Sequence, residues 1–246
     1  MSLTASFRVP TQPSAKPVAL ITGASSGIGA ATALALAARH HLVLVARRGE
    51  RITALAGRIA AAGGQALPIS ADLTRAEVPA TVVQEAIERF GRLDVLVNNA
   101  GVFEVADAGA VTAAHLDRLW RLNVQAPMLL VKAALPHLGG RGGCIVNVSS
   151  VAAESTFTGC SAYTATKAAL EAWSRVLREE LRHARVRVGV VAPGATDTEV
   201  WPADSTFDRA KMCRAEDVAE AIRFLVEQPA TASIDRIVVT PPGGPL

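Results

Sequence analysis

Short, continuously apolar segments alternate along the chain with longer stretches in which apolar residues recur at helical spacing. The seven short segments predicted to be strands are Val18–Thr22, Leu42–Ala46, Ala66–Ser70, Val95–Asn98, Cys144–Val148, Arg187–Ala192 and Ile237–Thr240. The predicted helices include Gly27–Arg39, Arg51–Ala62, Val78–Phe90, Ala113–Leu138, Ala162–Arg182 and Ala215–Glu227. Strands that are apolar on both faces are typical of parallel sheets covered by helices. The pattern therefore predicts an α/β fold, a doubly wound three-layer sandwich around a seven-stranded parallel sheet.

The predicted elements continue from residue 17 onward without a linker-like break or an internal repeat, so residues 17–246 are expected to form one domain. Residues 1–17 contain three prolines and no apolar stretch, which favours a flexible extension over residues 1–16 and not a signal peptide. The stretch Gly194–Arg214 shows no clear periodicity, and we expect it to be an irregular lid.

Composition narrows the functional class. Half of the 246 residues are hydrophobic, which excludes a disordered or fibrous protein. A net charge of +3 and an aromatic content of 4% argue against nucleic acid as a partner. No apolar run of about 18 residues indicates a membrane span. The three cysteines lack metal-ligand or disulfide-framework spacing, so we expect no metal and a reducing, cytoplasmic location.

The first predicted strand leads directly into a glycine-rich loop, Thr-Gly-Ala-Ser-Ser-Gly-Ile-Gly at positions 22–29, and then into a helix. Glycines there let the backbone approach a bound group, and the positive end of a helix favours a pyrophosphate. An ordinary strand-to-helix turn is the alternative. The predicted cofactor contacts in this loop are Gly23, Ser25, Ser26, Gly27, Ile28 and Gly29.

The second predicted strand ends in two arginines, Arg47 and Arg48, with no carboxylate to bind a free ribose 2′-hydroxyl. A guanidinium suits a 2′-phosphate, so the pair predicts a preference for NADP(H) over NAD(H), the alternative being a solvated basic pair. Asp72, followed by Leu73, is placed either to contact adenine or to cap the next turn. Asn99, Ala100 and Gly101 follow the fourth strand and are expected to line the cofactor, the alternative being a purely structural role.

Tyr163, the single tyrosine, and Lys167 lie four residues apart on a predicted helix and so share one face. A nearby ammonium favours the ionised phenol, which predicts a lowered Tyr163 pKa and a role for Tyr163 as a proton donor to a carbonyl. An amphipathic helix edge is the alternative. Ser150, at the end of the fifth strand, is expected to hold the substrate oxygen, because strand alternation points Ser149 the other way. No Gly-x-Ser-x-Gly elbow surrounds Ser150, which disfavours a serine hydrolase.

Together these motifs resemble the short-chain dehydrogenase/reductase family over about residues 17–240. The resemblance implies a Rossmann-type fold and hydride transfer between nicotinamide and a carbonyl, with Tyr163 giving the proton, Ser150 polarising the carbonyl and Lys167 also binding the nicotinamide ribose. It also implies that Asn123 holds a water that relays protons to Lys167. The segment after the sixth strand would contact the nicotinamide through Pro193, Gly194, Thr196 and Thr198. The chain ending and the Pro-Gly-Ala-Thr-Asp-Thr-Glu segment are similar to NADP-linked members of the 3-hydroxy acid, serine and clavulanate dehydrogenase type.

The expected substrate is a small to medium, largely apolar ketone or aldehyde, or the matching secondary alcohol. The predicted substrate walls are Val151–Ala153, Phe157, Cys160, Ala195, Val200, Trp201 and Phe207, with Glu104 and Glu154 as polar exceptions. Apolar helix surfaces and the family resemblance predict a homodimer or homotetramer. Two other functions remain open on the same fold, a cofactor-retaining epimerase or dehydratase and a non-catalytic nucleotide-binding regulator.

Overall fold

The central sheet has seven parallel strands. A computed structural model describes residues 13–138, 142–201 and 208–244. Its sheet strands are β1 Val18–Thr22, β2 His41–Ala46, β3 Ala66–Ser70, β4 Val95–Asn98, β5 Cys144–Val148, β6 Arg187–Pro193 and β9 Arg236–Val239. They lie side by side in the order β3-β2-β1-β4-β5-β6-β9. The predicted doubly wound, Rossmann-type α/β fold is confirmed. The strand order reverses direction at β1 and β4, and the carboxyl ends of these strands therefore flank a crevice suited to a ligand.

Seven α-helices of the described residues surround the sheet. They are α1 Gly27–Leu36, α2 Gly49–Ala61, α3 Val78–Phe90, α4 Ala113–Trp120, α5 Ala126–Leu138, α6 Ser161–Glu180 and α7 Ala215–Val226. In the ranges described, no helix combines the length and apolar character needed to cross a membrane.

The inner strands contribute to two separate apolar cores because successive side chains point to opposite faces. In β1, Val18 and Leu20 pack with residues of α3, α5 and α6 on one face of the sheet. Ala19 and Ile21 pack with residues of α1, α2 and α7 on the other face. All four side chains are fully buried. Burial on both faces explains why the strands could be recognised as uninterrupted apolar segments.

The long helix predicted over Ala113–Leu138 is interrupted. A π-helical turn at Arg121–Gln125 separates α4 from α5, and the Ala126 N–H bonds to the carbonyl of Arg121, five residues back. Pro127 supplies the physical reason, since it has no N–H to give to the carbonyl of Asn123 and its ring would clash there in a regular α-helix. The interruption places Asn123 at the widened turn, and such turns recur at functional sites.

The predicted irregular lid contains regular structure. Two short parallel strands, β7 Thr196–Asp197 and β8 Cys213–Arg214, pair with each other, and a single 3₁₀ turn covers Arg209–Lys211. The expectation of an irregular segment is therefore corrected for these residues. Two-residue strands have too few positions to show alternation in the sequence. Residues 202–207, which include Pro202 and Phe207 of the predicted lid, lie outside the described residues.

The residues immediately before β1 are held in place. The Ser14 N–H donates to the Phe90 carbonyl at 2.8 Å, and the Lys16 ammonium donates to the Ala38 carbonyl at 3.2 Å. Arg92 donates to the Ser14 carbonyl at 3.1 Å. These bonds attach part of the predicted flexible extension to the body of the fold. Residues 1–12 of that extension lie outside the described residues.

Candidate active site

A cleft of about 1080 Å³ runs along the carboxyl ends of the sheet strands. The predicted site residues that line it are Gly23, Ser25, Ser26, Gly27, Ile28, Arg47, Arg48, Asp72, Leu73, Asn99, Ala100, Gly101, Ser150, Tyr163, Lys167, Pro193, Gly194, Thr196 and Thr198. The two other predicted residues, Gly29 and Asn123, lie behind this lining. The volume accommodates a dinucleotide together with a small substrate.

Thr22 and Asn99 join the glycine-rich loop to the loop after β4. The Thr22 hydroxyl accepts from the N–H groups of Asn99 and Ala100, both at 3.0 Å. The Asn99 amide donates to the Thr22 carbonyl at 2.8 Å. Between these contacts Gly23 has a φ of 68°, in the left-handed region that favours glycine. The two loops that form the floor of the cleft are thus fixed to each other.

The N-terminus of α1 opens into the cleft, and no side chain of the helix itself neutralises its positive end. The first turn of α1 contains no acidic residue, and the Ser26 side chain makes no capping bond to the helix backbone. A side chain at Gly29 would lie 2.4 Å from the Gly23 carbonyl oxygen, so glycine lets the helix start against the loop. Free N–H groups, the helix dipole and this close approach fit the pyrophosphate of a dinucleotide.

The two arginines after β2 have different surroundings. Arg48 donates to the Ser25 hydroxyl at 2.9 Å, to the Ser26 hydroxyl at 2.6 Å and to the Glu199 carboxylate at 2.6 Å. Arg47 is exposed and, among the described residues, its guanidinium forms no hydrogen bond or salt bridge, although its charge helps to lower the pKa of Asp72. Arg47 is therefore free to bind an anion, whereas Arg48 already has partners.

Asp72 makes a local turn and also faces the cleft. One carboxylate oxygen accepts from the Thr74 N–H at 3.0 Å and from the Thr74 hydroxyl at 2.8 Å, which holds the pKa of Asp72 below its usual range. Asp72 therefore caps this turn, the alternative role considered for it, and uses only one of its two carboxylate oxygens. The same carboxylate lines the cleft, where it could accept a hydrogen bond from an adenine amino group.

Tyr163, Ser150 and Lys167 meet at the centre of the cleft. The first turn of α6 carries Tyr163, and its side chain lines the cleft together with that of Ser150. The Ser150 hydroxyl accepts from the Ala152 N–H at 3.1 Å, which fixes its orientation just beyond the end of β5. The Lys167 ammonium lies 5.8 Å from the centre of the Tyr163 ring and donates to the Val148 carbonyl at 2.9 Å. The three side chains thus face one small space.

Burial sets the pKa values of this group. Removal from water raises the pKa of Tyr163 to about 12, although the nearby Ser150 hydroxyl acts in the opposite direction. Burial lowers the pKa of Lys167 to about 8, and the nearby Glu171 carboxylate opposes that change. The predicted lowering of the Tyr163 pKa by Lys167 is therefore wrong for the protein alone, because desolvation disfavours the charge on both residues. A phenol with this pKa is protonated at neutral pH and available as an acid.

The buried Lys167 predicts a pH-dependent stability. Its pKa is about 8 in the folded chain and about 10.4 in the unfolded chain, so the unfolded chain binds more protons between these values. Lys167 should therefore contribute a rise of about 2 kcal/mol in the free energy of unfolding between pH 7 and 9.5. We expect Lys167→Met to lack this rise. Urea unfolding of both proteins measures the difference, and a pH-independent difference would contradict the assignment.

Asn123 lies behind Lys167 and connects three parts of the site. Its side-chain oxygen accepts from the Val102 N–H at 2.8 Å. Its amide nitrogen donates to the Val102 carbonyl at 2.9 Å and to the Thr166 hydroxyl at 3.1 Å. The fully buried amide therefore clamps the loop after β4 to α6. A side chain at Gly101 would lie 3.2 Å from the Asn123 oxygen and 3.6 Å from the Lys167 nitrogen.

The substrate end of the cleft is mostly apolar. The predicted wall residues that line it are Val151, Ala152, Phe157, Cys160, Ala195, Val200 and Trp201, whereas Ala153, Glu104 and Glu154 do not line it. The sequence analysis missed Phe103, whose ring packs edge-on against Tyr163 with 4.9 Å between the ring centres. The centre of the Phe103 ring also lies 5.6 Å from that of Trp201. One indication in the sequence that Phe103 lies at the site was its position two residues after the Asn-Asn-Ala-Gly loop. Glu199 and Arg51, which pair with each other, were also missed.

Comparison with known proteins identifies a family that this chain matches. The sequence profile described as short chain dehydrogenase matches residues 17–208, more than half of the chain. Cis-4-hydroxycyclohexanecarboxylate dehydrogenase of Sinomonas cyclohexanicum is 35% identical over 93% of this chain and 96% of its own length. The 3-oxoacyl-[acyl-carrier-protein] reductase of Synechocystis is 36% identical over 88% of this chain and 92% of its own length.

The fold comparison includes a complex with a cofactor. A short chain dehydrogenase from Burkholderia cenocepacia, crystallised in complex with NADP, superposes with a TM-score of 0.84 at 35% identity. The match covers 92% of this chain and 96% of the crystallised one. With the cleft, the glycine-rich loop of residues 22–29 (the phosphate loop) and the tyrosine, serine and lysine group in place, the chain belongs to the short-chain dehydrogenase family and is an NAD(P)-dependent enzyme acting on CH–OH or C=O groups.

Proposed function

We propose that this enzyme is an NADPH-dependent carbonyl reductase, or in the reverse direction an alcohol dehydrogenase, with small to medium, largely apolar substrates. The observation that carries the proposal is the meeting of Tyr163, Ser150 and Lys167 in the cleft that also contains the phosphate loop. An apolar wall beside a protonated phenol favours binding of a neutral carbonyl compound.

The proposed mechanism assigns one task to each side chain. Tyr163 donates its proton to the carbonyl oxygen during reduction and accepts a proton during alcohol oxidation. Ser150 hydrogen-bonds the same oxygen and stabilises the charge that develops on it. Lys167 binds the nicotinamide ribose, and Asn123 holds a water that passes protons to Lys167. When bound, the dinucleotide supplies or accepts the hydride.

The remaining cofactor contacts are proposed along the cleft. The phosphate loop, including Gly29 as its packing residue, would hold the pyrophosphate, and Asp72 and Leu73 would contact the adenine. The loop Asn99, Ala100 and Gly101 would line the cofactor. Pro193, Gly194, Thr196 and Thr198 would contact the nicotinamide. All of these except Gly29 line one continuous cleft, which supports the assignment.

Absorbance of the reduced cofactor tests the reaction. NADPH and NADH are each supplied with a panel of ketones, aldehydes and hydroxy acids, and net oxidation with a carbonyl compound is the expected result. Turnover of a substrate without net oxidation would instead indicate the epimerase or dehydratase class. Absence of any turnover with intact cofactor binding would indicate a nucleotide-binding regulator.

Arg47 carries the proposed preference for NADP(H). Its free guanidinium lines the cleft at the end of β2, where a dinucleotide places its adenosine ribose. We expect Arg47→Asp to lower the ratio of kcat/KM with NADPH to kcat/KM with NADH by about 10- to 100-fold, because a charge-assisted bond is replaced by repulsion. The ratio cancels any general loss of activity. An unchanged ratio would show that Arg47 does not bind the 2′-phosphate.

We also propose that residues 17–246 act as one cofactor-binding and catalytic domain in the cytoplasm. The single large sheet supports the first statement, and the three buried, unpaired cysteines support a reducing compartment. Exposed apolar side chains on α4 and α6, namely Leu116, Trp120 and Val176, support a homodimer or homotetramer.

A further inference from the structure

The Glu199 carboxylate forms ion pairs across the opening of the cofactor cleft. Glu199, two residues beyond β7, accepts from Arg48 at 2.6 Å and from Arg51 at 2.6 and 2.7 Å. Arg48 and Arg51 belong to the turn after β2 and to α2, about 150 positions earlier in the chain. The ion pairs therefore connect the ribose end of the cleft to the segment that borders the substrate end.

The contact brings the two sides of the cleft together. Next to Glu199, the Thr198 side chain would lie 2.9 Å from a side chain at Gly27, so this segment touches the phosphate loop directly. Both Arg48 and Glu199 line the cleft. Any dinucleotide seated on the phosphate loop must therefore pass close to this ion pair.

Glu199 sits where an external anion would be expected. Beside a helix N-terminus, Arg48 donates to the Ser25 and Ser26 hydroxyls, and the Glu199 carboxylate accepts from Arg48 and Arg51. The two arginines hold the pKa of Glu199 at about 2, so the carboxylate stays charged at every working pH. About half of each side chain remains exposed, 45% for Arg48 and 55% for Glu199, and a pair this accessible to water exchanges partners at low cost.

We propose that Glu199 is an internal competitor for the 2′-phosphate of NADP(H) and thereby a specificity-determining residue. This inference rests on the proposed NADP(H) preference. In the free protein Arg48 is paired with Glu199, and the 2′-phosphate displaces the carboxylate from Arg48. Arg51 keeps its own bonds to Glu199, so the carboxylate remains paired after the exchange. Cofactors without a 2′-phosphate leave the Arg48–Glu199 pair intact.

Calorimetric titration with two cofactor fragments tests the competition. Adenosine 2′,5′-bisphosphate carries the 2′-phosphate, and adenosine 5′-monophosphate lacks it. We expect Glu199→Gln to lower the Kd for the bisphosphate by about three- to fivefold, the range of an exposed ion pair, and to change the Kd for the monophosphate less than twofold. Glu220→Gln is the matched control, because Glu220 pairs with Arg223 on α7 outside the cleft lining and carries the same charge.

A protein that already carries Arg48→Gln shows whether the effect of Glu199→Gln on bisphosphate binding depends on Arg48. There, Glu199→Gln should change the Kd for the bisphosphate less than twofold. Weaker or unchanged bisphosphate binding by Glu199→Gln in the otherwise natural chain would overturn the competition, since Glu199 would then hold Arg48 in place or not affect it.

The proposed preference for NADP(H) is tested separately, by comparing how tightly the natural chain binds the two fragments. Tighter binding of the bisphosphate than of the monophosphate supports that preference whatever the Glu199 variant does. Equal binding of the two fragments that becomes selective in Glu199→Gln would still support the competition. Equal binding in both proteins would contradict the competition and the preference together.

Discussion

Replacement of Tyr163 by phenylalanine is expected to lower kcat for carbonyl reduction by about 10²- to 10⁴-fold, the range contributed by a positioned general acid. The change removes only the hydroxyl. The ring that packs edge-on against Phe103 at 4.9 Å remains, so the wall of the cleft should keep its shape. The measurement is kcat from the loss of NADPH absorbance with a substrate from the carbonyl panel.

Binding and folding controls separate chemistry from structure in this variant. Tyr163 is the only tyrosine, and no other phenol can replace its proton. We expect the Kd for NADPH and the unfolding midpoint in urea to stay close to those of the natural chain. Full activity in Tyr163→Phe would remove the proton-donor role, whereas lost cofactor binding would assign the hydroxyl to the cofactor instead.

Gly29→Ala is expected to damage both the cofactor site and the fold. The new methyl group would lie 2.4 Å from the Gly23 carbonyl oxygen and 2.6 Å from the Asn99 amide nitrogen. Backbone must move to relieve this overlap, at a cost of about 1–3 kcal/mol in the free energy of unfolding. Because the phosphate loop is the part that moves, we expect the Kd for NADPH to rise at least tenfold. Urea unfolding and fluorescence titration measure the two effects.

Gly57→Ala is the matched control for this substitution. Gly57 lies inside α2, and a side chain there would meet no atom within 4 Å. Alanine should therefore raise the free energy of unfolding by about 0.5–1 kcal/mol, since glycine is a poor helix former. Cofactor binding should not change. Similar effects of the two substitutions would show that the close approach at Gly29 does not matter.

The regular elements could be predicted because their signal is local. The segments of β1 and β5 match the predicted bounds, since a strand buried on both faces is apolar at nearly every position, here all but Thr22 and Asn147. The interruption before α5 was missed although Pro127 was visible, because the surrounding apolar spacing fits a continuous helix. The short strands β7 and β8 were missed because a two-residue strand has no period.

The gathering of the proposed cofactor and catalytic residues in one cleft was also predictable, for a topological reason. Residues such as Ser150 lie just beyond a strand, here two positions after the end of β5, and parallel strands bring their carboxyl ends to one edge of the sheet. The position of Phe103 against Tyr163 depends instead on how a loop folds over the cleft, and loop paths carry no periodic signal.

By itself, the sequence determined the α/β sandwich, the phosphate loop and the tyrosine and lysine spacing of four residues, because each depends on neighbours along the chain. Only the tertiary structure decided the charge state of the site. Burial raises the pKa of Tyr163 and lowers that of Lys167, and it depends on every element packed around them. The pairing of Glu199 with Arg48 was likewise decided by the fold, because Coulomb interaction depends on distance in space and not on separation in sequence.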